Sequence, residues 1–133
     1  MYKRPFILLA CILPLIISSC QKQNVQTPPY GNRTIKFILY TNKDFSTIND
    51  SISFSLTIRN QEHTVAFDST LTAIRIKDIP KAQNKWTFTK TVPNDGTILT
   101  AGFLYSIKNV GYSWYLDTVG VKQQIKTIEY PFQ

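Results

Sequence analysis

Between Arg33 and the C-terminus, apolar and polar residues alternate with a period of two, the spacing of strands with one dry and one wet face. The cleanest stretch is Ser51 to Arg59, where Ile52, Phe54, Leu56 and Ile58 alternate with Ser53, Ser55, Thr57 and Arg59. A helix would scatter those apolar residues round its circumference, so a strand is predicted. Thr34 to Thr41 repeats the pattern, with Ile35, Phe37 and Leu39 on one face and Lys36, Ile38 and Tyr40 on the other. Thr64 to Ser69 predicts a short strand with Val65 and Phe67 inward, and Thr72 to Lys77 another with Ile74 and Ile76 on one face. In Trp86 to Val92 the inward set is Trp86, Phe88 and Val92; Lys90 interrupts it, which suits a sheet edge.

The longest predicted strand puts Leu99, Ala101, Phe103, Tyr105 and Ile107 inward, with Leu104 and Ser106 on the opposite face. Taking all of Lys108 to Gly111 as the hairpin link, the return strand directs Tyr112, Trp114 and Leu116 inward and Ser113, Tyr115 and Asp117 outward. Gln124 to Phe132 is the last predicted strand. Asn60-Gln61-Glu62 and Pro93-Asn94-Asp95-Gly96 are turn sequences, with proline and glycine at favoured positions in the second. No segment of the mature chain carries a helical period.

Seven or eight short strands between turns predict an all-β fold, an antiparallel two-sheet β-sandwich over residues 33–133. A small closed β-barrel, able to hold a ligand in its mouth, is the alternative. Ile76-Lys77-Asp78-Ile79-Pro80 followed by Trp86-Thr87-Phe88-Thr89 resembles a step in immunoglobulin-like and transthyretin-like modules, although the antibody Cys–Trp–Cys signature is absent.

The first 20 residues follow a different logic. Met1-Tyr2-Lys3-Arg4 is a basic head, Phe6 to Ile17 is apolar apart from Pro14, and Ser18-Ser19-Cys20 precedes a polar stretch. Head, apolar core and small residues make an export signal, too short to span a bilayer. Ile17-Ser18-Ser19-Cys20 resembles the lipobox of bacterial lipoproteins. That resemblance implies removal of residues 1–19 and acylation of Cys20, which becomes the membrane anchor; several acyl chains hold far more firmly than one. Residues 20–32, with Thr27-Pro28-Pro29, read as a flexible Pro-containing tether. The ensemble resembles small lipoproteins of Bacteroidota. This implies a cell-envelope location at the outer membrane, with the periplasmic side favoured because Gln21-Lys22-Gln23 lacks an acid-rich surface-export tag.

Composition narrows the chemistry. The 133 residues hold 15 Lys and Arg against 8 acids, for a net charge of +7, but the bases are spread singly rather than clustered along a phosphate-tracking stripe. Nucleic acid is therefore not an expected partner. Both cysteines, Cys11 in the signal and Cys20 at the anchor, are accounted for before the domain begins, so no thiol is left for a disulfide, a metal or a nucleophile. The single histidine, His63 beside Glu62, reads as a solvated turn residue, and no nucleophile-elbow pattern surrounds a serine. Asp44, Asn49 and Asp50 share a loop without calcium-loop spacing. No cofactor, metal site or catalytic residue is predicted.

What remains is a binding face. With Trp114 and Phe103 inward, Tyr115 and Leu104 point outward, as do Ile38 and Tyr40 on the first strand. If those strands are neighbours, Ile38, Tyr40, Leu104 and Tyr115 form an apolar, aromatic contact patch. The expected function is a non-catalytic, lipid-anchored envelope module contacting a protein partner through this sheet face. The alternative is a small-ligand or glycan binder using a barrel mouth or strand-connecting loops.

Overall fold

The computed structural model describes residues 30–133; the signal segment, Cys20 and the tether as far as Pro29 lie outside the described residues. Eight strands run in order: β1 (Asn32–Thr41), β2 (Ser51–Asn60), β3 (Val65–Thr70), β4 (Ile74–Arg75), β5 (Trp86–Pro93), β6 (Leu99–Ile107), β7 (Gly111–Val119) and β8 (Ile125–Phe132). They form two open sheets facing each other, a β-sandwich and not a closed barrel. One sheet has the order β5-β1-β8; the other has the order β3-β2-β6-β7, with β4 following β3 along the same edge of β2.

Burial follows the sequence period over most of the fold. Ile35, Phe37 and Leu39 of β1 face Ile52, Phe54, Leu56 and Ile58 of β2 and Leu99, Ala101 and Phe103 of β6 across one dry interface. At its centre the fully buried rings of Phe37 and Phe103 meet edge to face, with centroids 5.8 Å apart. Phe132 of β8 packs edge-on against Phe45, Phe54 and Tyr105, closing one end. Burying each such side chain contributes about 1.5–3 kcal/mol.

Four details depart from the sequence reading, each for a local reason. Pairing between β1 and β8 is parallel, because β8 enters from β7 of the other sheet and need not return as a hairpin. The strand expected over Thr72 to Lys77 shrinks to Ile74–Arg75, after which Ile76–Asp78 is a 3₁₀ turn whose first amide bonds to the Asp50 carbonyl instead of a ladder. Val65 is exposed rather than inward, since a register shift between Ile58 and Arg59 sets it opposite Arg59. The expected tether also ends earlier than Asn32. Tyr30 lies against Gly96, the Gly31 carbonyl accepts from the Asn94 amide at 2.9 Å, and β1 opens at Asn32. Lys90 does sit on an edge strand, with its ammonium 4.7 Å from the centre of the Phe67 ring in the facing sheet.

Polar pins hold the margins. Arg33 is fully buried; its guanidinium donates to the Thr97 carbonyl at 2.6 Å and to Asp95 at 3.1 Å, fixing the β5–β6 turn. Burial lowers the Arg33 pKa, and Asp95 opposes that shift. The Asp95 carboxyl is held below its usual range by the Thr97 hydroxyl first, then by the Thr97 amide and Arg33. Asp117 is lowered by its bond to Lys126, then by the Thr118 amide.

Gly102 marks a close backbone approach: a Cβ there would collide with the Tyr115 carbonyl oxygen. Gly102→Ala should push β7 away from β6 and cost about 1–3 kcal/mol in urea denaturation, with no comparable effect from Gly120→Ala, where a Cβ meets nothing. A folded-state pKa below the unfolded value gives stability that is complete above the unfolded pKa and lost as pH falls through the folded one. Stability should therefore decline from about pH 5 downwards, and Asp95→Asn should flatten that decline in chemical denaturation series run at stepped pH.

Candidate functional site

The hairpin between β6 and β7 decides which aromatic residues meet water. Ile107 pairs directly with Gly111, leaving a three-residue loop, Lys108 to Val110, with Asn109 in the left-handed region at φ 63°. Directly paired residues share a face of the sheet. Gly111, Ser113, Tyr115, Asp117 and Val119 therefore lie on the same side as Ile107, Tyr105 and Phe103, while Tyr112, Trp114 and Leu116 lie outside. A four-residue link, Lys108 to Gly111, is what the sequence predicts, and one residue of register turns every side chain of a strand over. Trp114 is consequently outward and Tyr115 inward, the reverse of expectation.

The four residues of the expected patch do not come together. Ile38 and Tyr40 stand on the outer face of the three-stranded sheet, whereas Leu104 stands on the outer face of the five-stranded one. Ile38 is only 6% exposed, between Thr87 and Glu129 in register, and the Lys85 ammonium sits 5.6 Å from the centre of the Tyr40 ring. Tyr115 leans into the seam between the sheets and stacks on Tyr130 at 4.7 Å, nearly parallel at 12°. Tyr105 also stacks on Tyr130, with centroids 5.9 Å apart and planes at 28°. Burial first, then hydrogen bonding with Tyr105, raises the Tyr130 pKa far above an ordinary phenol, so Tyr130 packs there as a neutral ring. Of the expected patch, Leu104 alone belongs to the surface described next.

Two rows of side chains cross the outer face of the five-stranded sheet. Register places Thr70, Ser55, Leu104 and Trp114 in one row, and Ser53, Ser106 and Tyr112 in the next. Between them lies a groove of about 440 Å³. Tyr112 and Trp114 form its wall at the β7 edge, with ring centroids 6.3 Å apart and planes tilted by 31°. They are 81% and 60% exposed. Leu104 lies between that wall and the hydroxyl side chains of the far side, where Ser55 and Thr70 are joined by a 2.9 Å hydrogen bond. Among the described residues, no charged side chain lines the groove.

A second groove, of about 370 Å³, opens at the seam beside β5 and is bounded by Leu71, Ile74, Trp86 and Phe88. Its aromatic walls belong to the margin of the core, with Trp86 and Phe88 only partly exposed and packed on one another. The Tyr112–Trp114 wall has no such packing role and is the better candidate.

Elsewhere the polar residues are engaged locally. His63 is an exposed turn residue with φ 60°, and Asn60 accepts the amides of Glu62 and Thr64 around it. Asp68 is bound to Arg59 at 3.1 Å. Asp44 accepts the Ser46 amide, and Asn49 faces Arg75. Among the described residues there is no group of three or more His, Cys, Asp or Glu placed to hold a metal ion. Comparison with protein-family profiles, curated proteins and solved structures gives no match for this chain.

The register makes a sharp test. Trp114→Ser should change unfolding free energy by less than about 1 kcal/mol, whereas Tyr115→Ser should cost about 1–3 kcal/mol by breaking the stack on Tyr130. The opposite ranking in urea titrations would mean that β7 presents its other face.

Proposed function

We propose that this chain is a non-catalytic, lipid-anchored recognition module of the bacterial cell envelope. Its binding surface is the outer face of β2, β6 and β7, centred on Tyr112 and Trp114. The observation that carries this reading is the exposure of two adjacent large aromatic rings on the wet face of a sheet whose core is already closed beneath them. Rings that contribute little to packing yet remain grouped over a groove support a contact role. The lipobox-like Ile17-Ser18-Ser19-Cys20 supports attachment through Cys20, with the stretch to Pro29 as spacer. The outer membrane, periplasmic side, is the proposed address.

A photo-crosslinking residue placed at Leu116, beside the intact Tyr112 and Trp114, should give adducts in intact cells that the same residue at Ile125 does not. Ile125 is a fair control, being 72% exposed on the outer face of the other sheet. Cys20→Ser should abolish incorporation of labelled palmitate and reduce those adducts. Equal labelling from both positions would remove the assignment of the face, and undiminished palmitate in the Cys20→Ser protein would remove the anchor.

A further inference from the structure

Resting on that binding surface, we infer that its ligand is a neutral glycan chain, held with its sugar rings stacked on Trp114 and Tyr112 and its hydroxyls bonded along the serine and threonine row. Three properties of the groove lead to this class. First, the groove combines a large apolar surface with a narrow polar border. Tyr112, Trp114 and Leu104 supply the apolar part, and the hydroxyls of Ser53, Ser55, Ser106 and Thr70 line the side away from β7. A pyranose has the matching duality: its ring face presents C–H groups to an aromatic plane while its edge carries donors and acceptors. A lipid tail would leave the hydroxyls unmatched, and a purely polar ligand would leave the rings unused.

Second, among the described residues the lining carries no ionised side chain, so none of them would repay the dehydration of a charged ligand. Neutral sugars are hydroxyl-rich without charge. A hydroxyl is both donor and acceptor, which suits partners that are the same. In the Ser55–Thr70 pair one hydroxyl donates to the other, and the recipient keeps its own hydrogen for a ligand.

Third, the rings are displayed as a pair. Tyr112 and Trp114 project from alternate positions of one strand and lie side by side, 6.3 Å between centroids. Two adjacent platforms offer stacking area to consecutive sugars of one chain. Their exposure keeps the groove open at the edge, so a chain crosses the face rather than inserting an end. Binding should therefore strengthen with chain length.

The chain holds two tryptophans, so replacing Trp86 with Phe leaves Trp114 as the sole indole reporter. The full acylated protein, in a zwitterionic detergent free of sugar, is titrated with hexasaccharides of β-1,4-glucose, α-1,4-glucose, β-1,4-xylose and β-1,4-mannose, with glucose alone and with an acidic hyaluronan hexasaccharide. At least one neutral hexasaccharide should shift Trp114 emission saturably. It should bind at least about tenfold more tightly than its monosaccharide, and Tyr112→Ala should weaken it by about tenfold. Calorimetric titration of the unaltered protein and of Trp114→Ala gives the same comparison without the Trp86 substitution.

A flat response to every neutral sugar overturns the glycan assignment, as does preference for the acidic chain or binding indifferent to Tyr112 and Trp114. If sugars fail while the Leu116 position still crosslinks selectively in cells, the glycan assignment is overturned and the face binds a ligand of another class. If both fail, the face itself is wrong.

Discussion

The fold depends on one dry interface, whose centre is the edge-to-face contact of Phe37 and Phe103 between the two sheets. The described residues include no cysteine, so no disulfide ties one sheet to the other. Only apolar contact and a few polar pins can do so. Around the central pair, Ile35, Leu39, Ile52, Phe54, Ile58 and Ile128 are shielded almost completely from water. Period-two alternation on β1, β2 and β6 makes this possible, since each strand offers an unbroken apolar face to the other sheet.

Polar groups secure the ends where that interface runs out. Arg33 is the most committed, because its guanidinium is buried and removal of its acceptors would leave a cation without partners. Thr41 ties β1 to the Phe132 carbonyl at 2.8 Å, and Asp117 meets Lys126 across the seam between β7 and β8. The pairs of Arg59 with Asp68 and of Lys85 with Glu129 are well exposed, so they contribute little beyond local order.

With the core satisfied from within, the outer face of β6 and β7 is free for recognition. Beyond the groove that face is mixed: Arg59 bonds to both Thr57 and Asp68, and Val65 and Leu116 are exposed singly. Only the end nearest the β6–β7 loop gathers aromatic rings. The same hairpin sends Tyr115 to the Tyr130 stack and Tyr112 and Trp114 outward, so one register provides both the closure of the seam and the proposed glycan platform.

Alternation along the chain determined the class of fold, nearly all of the strands, the inward faces of β1, β2 and β6, and the edge placement of Lys90. These are local properties, because strand parity follows from neighbours two residues away. The site was not legible in the same way. In β7 both parities carry aromatic residues, Tyr112 and Trp114 on one and Tyr115 on the other, so hydrophobicity alone pointed to the wrong side. Asn109, a residue type that tolerates the left-handed region, was the signal that could have shortened the loop by one residue. Which strands are neighbours was also beyond local pattern. It separated Ile38 and Tyr40 from Leu104 by placing them in different sheets. Tertiary structure decided these matters because pairing between strands is a long-range choice, made by how the two sheets best bury their faces against each other.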